Sequence, residues 1–182
     1  MEEKTEGKIG YRVIDNFLPQ KEFLKIETAT ITLSPNLLDQ NQQYNIGWVY
    51  TPTVAHKSEV NQSKYFYMSH LVYLKGIILS PVYDSIVPVL DELEVKALMR
   101  IKCNLYPNQG EVHEHEPHVD FEFPHKAAIL YINTCDGYTK LADDTKIDSV
   151  ANRILLFDAS TFHCSTTCND QKARFNINFN YF

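Results

Sequence analysis

His118-Val119-Asp120, then His163, then Arg174: this ordered set decides how the chain is read. In an extended strand, residues i and i+2 share a face. His118 and Asp120 would therefore offer one imidazole and one hard carboxylate to the same metal. His163, arriving from a distant strand, would complete a facial set of two histidines and one carboxylate and leave adjacent coordination positions open. Arg174 follows with a planar fork of donors shaped for a carboxylate. A bare His-x-Asp is common by chance, and the weight lies in the order of the four residues.

That order resembles the signature of the 2-oxoglutarate/Fe(II)-dependent oxygenases, in particular the prolyl-4-hydroxylase-like branch. The chain is also similar to small members encoded by bacteriophages. Asn104-Leu105-Tyr106-Pro107-Asn108, Ile129-Leu130-Tyr131-Ile132-Asn133, Gly137-Tyr138-Thr139 and Asn152-Arg153-Ile154-Leu155-Leu156-Phe157-Asp158 match the family's strands in order and spacing. The resemblance covers about residues 95–182. It implies a mostly β fold, a double-stranded β-helix (a jelly roll, or cupin-like barrel) with helices packed on one sheet. It implies Fe(II) on His118, Asp120 and His163, and the distal carboxylate of 2-oxoglutarate on Arg174 and Tyr131. Tyr106 resembles a tyrosine that reaches the cosubstrate near the metal, and Asn104 shares its face. Asn178 stands where relatives carry a threonine or similar polar group. The implied reaction consumes 2-oxoglutarate and O2, with ascorbate in support, and releases succinate and CO2. It hydroxylates a C–H bond of a prolyl or other protein or amino-acid side chain.

Bulk properties agree with an ordinary globule. The 182 residues predict one domain, with residues 1–94 supplying a strand, helices and a possible substrate flap, and 95–182 the catalytic β-core. Hydrophobic content is 44% and charged content 22%. A net charge of -6 argues against a general nucleic-acid footprint. The charged start, Met1-Glu2-Glu3-Lys4, has no secretory apolar region. The most apolar stretch, Leu71 to Tyr83, is interrupted by Lys75 and Pro81, so no membrane span is expected. The expected setting is the cytosol of a phage-infected or bacterial cell, with Cys103, Cys135, Cys164 and Cys168 as free thiols.

Along the chain, residues 1–9 are polar and expected to fray. Tyr11 to Asp15 reads as a strand turning through Asn16-Phe17-Leu18-Pro19 into a helix that buries Phe23, Leu24 and Ile26. Residues 33–63 read as surface loop or as a substrate-facing flap carrying Tyr44, Trp48 and Tyr50. Tyr65 to Ile78 and Val82 to Leu93 read as two helices broken near Ser80-Pro81, with His70 as a surface or interface histidine. Strands are expected at Leu98–Tyr106, Ala127–Asn133, Arg153–Phe157 and Arg174–Phe182.

In the last strand Arg174, Asn176, Asn178 and Asn180 alternate with Phe175, Ile177, Phe179 and Tyr181. The polar row faces either solvent or the barrel interior around a bound acid. A buried arginine without an anion is costly, so the interior reading requires a ligand. Two alternatives stay open. His113-Glu114-His115 with Asp120 and His163 fits a cupin-like metal set without 2-oxoglutarate, although a solvated polar loop is the plainer reading of His113 and His115. A barrel that binds a partner without turnover is the other.

Overall fold

The computed structural model describes residues 10–31, 46–56 and 62–182; the polar start and most of the proposed flap (32–45 and 57–61) lie outside them. The larger sheet is antiparallel throughout. In spatial order it runs β1 (Arg12–Ile14), β9 (Ile154–Asp158), β6 (Lys126–Tyr131), β11 (Ala173–Tyr181), β5 (Leu98–Pro107), β3 (Tyr67–Leu74) and β2 (Val49–Thr51), with β4 (Ile77–Ile78) paired to β3. The smaller sheet is β10 (His163–Ser165), β7 (Tyr138–Leu141) and β8 (Lys146–Asp148). Two helices, α1 (Gln20–Thr30) and α2 (Val82–Glu92), pack on the outer face of the larger sheet. This is the expected double-stranded β-helix with helices on one side. Among the described residues, no helix is long and apolar enough to cross a membrane.

The alternation in β11 sets the layers. Ile177, Phe179 and Tyr181 join Phe23, Ile26, Val82, Ile86 and Val89 in the main apolar core, beneath the helices. Arg174, Asn176, Asn178 and Asn180 point the other way and are buried between the two sheets. Because β11 pairs with β5 on one side and β6 on the other, this polar row sits at the middle of the barrel wall.

Three expectations are corrected. Tyr65 to Ile78 is not a helix: it is the β3–β4 hairpin, which turns at Lys75 (φ 47) and Gly76 (φ 91). Two successive left-handed residues are what a tight hairpin needs. The three- and four-residue apolar steps in this stretch lose to cross-strand pairing with β5. Leu24 is 45% exposed, and α1 buries Phe23, Ile26 and Ala29 instead. His70 is not a bare surface residue: its ring bonds Gly47 O at 2.8 Å and Ser80 Oγ at 2.7 Å. Trp48 sits edge-on to His70 and to Phe175, so it anchors β2 to the sheet. All four cysteines are free and buried.

The N-terminal corner hangs on Asn152. This buried residue has φ 62, in the left-handed region that asparagine tolerates. Its Oδ1 accepts from Leu18 N at 3.0 Å, and its Nδ2 donates to Leu18 O at 2.8 Å. Its own N–H donates to Tyr131 O at 3.0 Å. Asn152→Ala would strand two buried backbone groups and place alanine in a strained conformation. It is expected to cost about 3 kcal/mol in chemical denaturation.

Candidate active site

The segment 113–118 brings the first ligands to the barrel. It is not a continuous strand, and the solvated loop expected for His113 and His115 is corrected here. Its backbone pairs with β10 and the residues after it through Thr167 N to His113 O, His115 N to Ser165 O, and reciprocal bonds between His118 and His163 of 2.9 and 3.0 Å. This pairing puts His118 opposite His163, with ring centroids 4.7 Å apart. Glu114, midway, is held well ionised, at about 2, by bonds from Lys140 and Tyr138. Neutralised in this way, an acid can lie along a sheet edge.

His118, Asp120 and His163 form one group whose ligand atoms all lie within 4.8 Å of one another. His118 Nδ1 faces Glu116 O and His163 Nδ1 faces Thr161 O, which leaves Nε2 of each ring with the free lone pair. Burial, together with the neighbouring His163, lowers His118 to about 4, and burial lowers His163 as well. Both rings are therefore neutral at pH 7, the form that ligates a metal. Burial would raise the Asp120 carboxyl. The charges of Arg100 and Lys102, with the hydrogen bond from Asn180, outweigh it and hold that group well below the usual range.

Asp120 is gripped from the sheet. Arg100 Nη2 donates to its Oδ1 at 2.7 Å, and Asn178 and Asn180 donate to its Oδ2 at 3.0 and 2.9 Å. A carboxylate offers four lone-pair sites. Three are used, and the free one is on Oδ1. Asn178 thus bonds the Asp120 carboxylate and lines the cavity. Arg100 escaped the sequence reading, although it lies on the polar row of β5; Asn180 was placed on the polar row of β11 but given no role of its own.

At the other end, Arg174 is completely buried (0% exposed) and makes no ion pair among the described residues. Nη2 donates to Thr139 Oγ1 at 3.0 Å and Nη1 to Thr166 O at 3.3 Å, while Nε has no partner. The guanidinium lies over the rings of Tyr106 and Tyr131, 5.6 and 5.5 Å from their centroids. The buried Tyr131 hydroxyl and Asn104 Oδ1 also lack hydrogen bonds. A Cβ on Gly137 would fall 2.7 Å from Arg174 Cδ and 2.5 Å from Thr167 O, so glycine is required for the side chain to pass. One cavity is lined by Asn104, Tyr106, His118, Asp120, Thr139, His163 and Asn178 among others; Arg174 lies just behind its wall, against Thr139 and Tyr106. His113 and His115 are not part of the ligand group, so the cupin-like set is not assembled. A second metal-capable group, Cys135, Cys168 and Asp170, has its two thiols buried. Burial and the neighbouring Cys135 push Cys168 up to about 12, so that thiol is protonated at neutral pH.

No family model matches this chain, and no curated protein does. Solved structures do. A prolyl hydroxylase from Trichoplax adhaerens, in complex with a hypoxia inducible factor oxygen degradation domain peptide fragment, is 16% identical; the match covers 96% of this chain and 84% of that one at a TM-score of 0.66. The viral collagen prolyl hydroxylase of Paramecium Bursaria Chlorella virus-1, as its 2OG complex, is 15% identical over 93% and 94%, at 0.58. The non-heme alpha ketoglutarate dependent epimerase SnoN from nogalamycin biosynthesis is 14% identical over 96% and 79%, at 0.61. The chain has the double-stranded β-helix fold of the 2-oxoglutarate/Fe(II) oxygenases, with a His-x-Asp…His triad set in it.

The grip on Asp120 makes a prediction that needs no substrate. Arg100→Leu removes the charge partner of a buried carboxylate. It is expected to weaken Mn(II) or Fe(II) binding about 10–100-fold by calorimetry.

Proposed function

We propose that this protein is a 2-oxoglutarate- and Fe(II)-dependent dioxygenase that hydroxylates a C–H bond of a prolyl or other protein or amino-acid side chain. The observation that carries the reading is Arg174. A fully buried guanidinium with no acid beside it, flanked by an unbonded tyrosine hydroxyl, calls for an anion there. The triad lines a cavity whose wall includes Thr139 and Tyr106, the two side chains that touch Arg174. A five-carbon keto diacid satisfies both at once, and a metal-only site leaves Arg174 unexplained.

The residues fit the implied groups. His118 and His163, through Nε2, and Asp120, through the free lone pair on Oδ1, would hold the iron. Arg174 would pair with the distal carboxylate, with Tyr131 and Thr139 completing its hydrogen bonds. Tyr106 and Asn104 would line the cosubstrate's course toward the metal. Bound there, Fe(II) and 2-oxoglutarate supply the oxidation: with O2, decarboxylation to succinate and CO2 is coupled to insertion of one oxygen atom into a substrate C–H bond. Asn178 and Asn180 keep the Asp120 carboxylate from turning. The apolar wall, Ile129 with the rings of Tyr106 and Tyr131, excludes water from the anion. The prolyl hydroxylases and the epimerase above have the same fold, so the fold alone does not select the substrate.

The test is succinate release from 2-oxoglutarate with Fe(II), ascorbate and air, in the presence of pools of proline-containing peptides and of amino acids. Iron- and oxygen-dependent succinate, stimulated by one pool, is expected. A folded protein that binds neither Fe(II) nor 2-oxoglutarate would end the proposal. His163→Ala is expected to abolish turnover with an unchanged circular dichroism spectrum. Arg174→Gln is expected to weaken 2-oxoglutarate binding by about 1.5–3 kcal/mol, roughly 10–150-fold, through loss of the charge-assisted pair.

A further inference from the structure

Inside the barrel, β5 and β11 oppose each other in four polar pairs: Arg174 with Tyr106, Asn176 with Asn104, Asn178 with Lys102, and Asn180 with Arg100. Three of the four β5 side chains have clear employment. Tyr106 lies under Arg174, Asn104 bonds Asn176, and Arg100 holds Asp120. Lys102 does not. Its ammonium donates to the Tyr67 hydroxyl at 3.1 Å and lies 5.2 Å from the centre of that ring. It makes no ion pair among the described residues. Yet it lines the same cavity as His118, Asp120 and His163.

Asp120 is the only acid lining that cavity among the described residues, and Arg100, Asn178 and Asn180 occupy it. The cation of Lys102 is therefore unbalanced. A half-buried ammonium leaning on a phenol is a poor structural filler, because an apolar side chain would pack there without the desolvation cost. The cosubstrate does not need it either. Arg174 takes one carboxylate and the metal takes the other end, while Lys102 lies about 13 Å along the strand from the Arg174 pair.

Resting on the oxygenase reading, we propose that Lys102 receives the carboxylate of the primary substrate, and that this substrate is a small carboxylic acid of the free amino-acid class. A prolyl residue inside a peptide has its carboxyl tied up as an amide and offers Lys102 nothing. Lys102 is thus a specificity-determining residue, with Tyr67 fixing the position of its ammonium.

The experiment is calorimetry on Mn(II)-loaded protein saturated with 2-oxoglutarate. It is titrated with a panel of free amino acids, their carboxamides, and N-acetylprolyl peptide amides, in wild type, Lys102→Met and Lys102→Arg. At least one acid is expected to bind ten-fold or more tightly than its carboxamide. That ratio should fall toward one in Lys102→Met and recover in large part in Lys102→Arg, with 2-oxoglutarate affinity unchanged within two-fold throughout. Equal binding of acids and amides, or no binding of any acid, overturns the assignment. So does a ten-fold loss of 2-oxoglutarate affinity in Lys102→Met without amino acid, which would give Lys102 to the cosubstrate. Failure of the wild type to bind Mn(II) and 2-oxoglutarate is a separate result and removes the oxygenase reading itself.

Discussion

A guanidinium sealed inside the barrel without a counter-charge is the constraint on which the rest of this structure turns. Arg174 is among the largest fully buried side chains, and its known bonds go to neutral oxygens of Thr139 and Thr166. Leaving such a charge unpaired is expensive unless a ligand arrives. The surroundings are arranged to tolerate it rather than neutralise it. Two tyrosine rings offer their faces, Gly137 gives up a side chain so that the arginine can pass, and Thr139 accepts one bond. Each of these residues comes from a different strand or turn, so the barrel must close before the pocket exists.

The metal end is built on the opposite principle. There the charge is matched before any ligand binds, because Arg100 neutralises Asp120 and two asparagine amides fix its rotation. Burial keeps both histidines neutral. The result is a donor set that loses no proton on meeting a dication and moves little. A charge-balanced donor set that could hold a metal thus lines a cavity beside a buried cation without an anion, an asymmetry that would orient a molecule with a chelating end and a free carboxylate.

Much of this was legible in the sequence because it lies on strands with a clear period of two. The Arg174-Asn176-Asn178-Asn180 row could be read as one face, and the burial of its apolar partners under the helices follows from the same alternation. The order His118, Asp120, His163, Arg174 carried the fold. What failed did so for physical reasons. In the stretch from Tyr67 to Leu74, apolar residues fall at helical and extended spacings alike, and only pairing with β5 decides between them. The segment His113 to His118 looked solvated because its charges are conspicuous, yet Lys140, Tyr138 and Lys146 cancel Glu114 from a neighbouring strand. Asn178 was legible by its face but not by its partner: four residues of strand carry it from Arg174 to Asp120, a distance in space that order alone does not give.

The same division explains why substrate identity is harder to read than chemistry. The groups that would hold metal and cosubstrate sit on β5, β6, β10 and β11 and the segment paired to β10, where sequence order and period are informative. The groups that set the remaining space come from the N-terminal half. Tyr67 on β3 stacks on Tyr106 and bonds Lys102, and Val54 closes the cavity wall. The stretch Tyr65 to Ile78 reads from sequence as helix, so Lys102 had no visible partner and no visible task. Once β3 is a strand beside β5, the lysine stands over Tyr67 in the same cavity as the triad, and Asp120, the one acid lining it among the described residues, is already taken. The question of what this protein acts on then becomes a question about one ammonium group. A neutral peptide leaves it unbalanced, whereas a free carboxylate would pair it as Arg100 pairs Asp120.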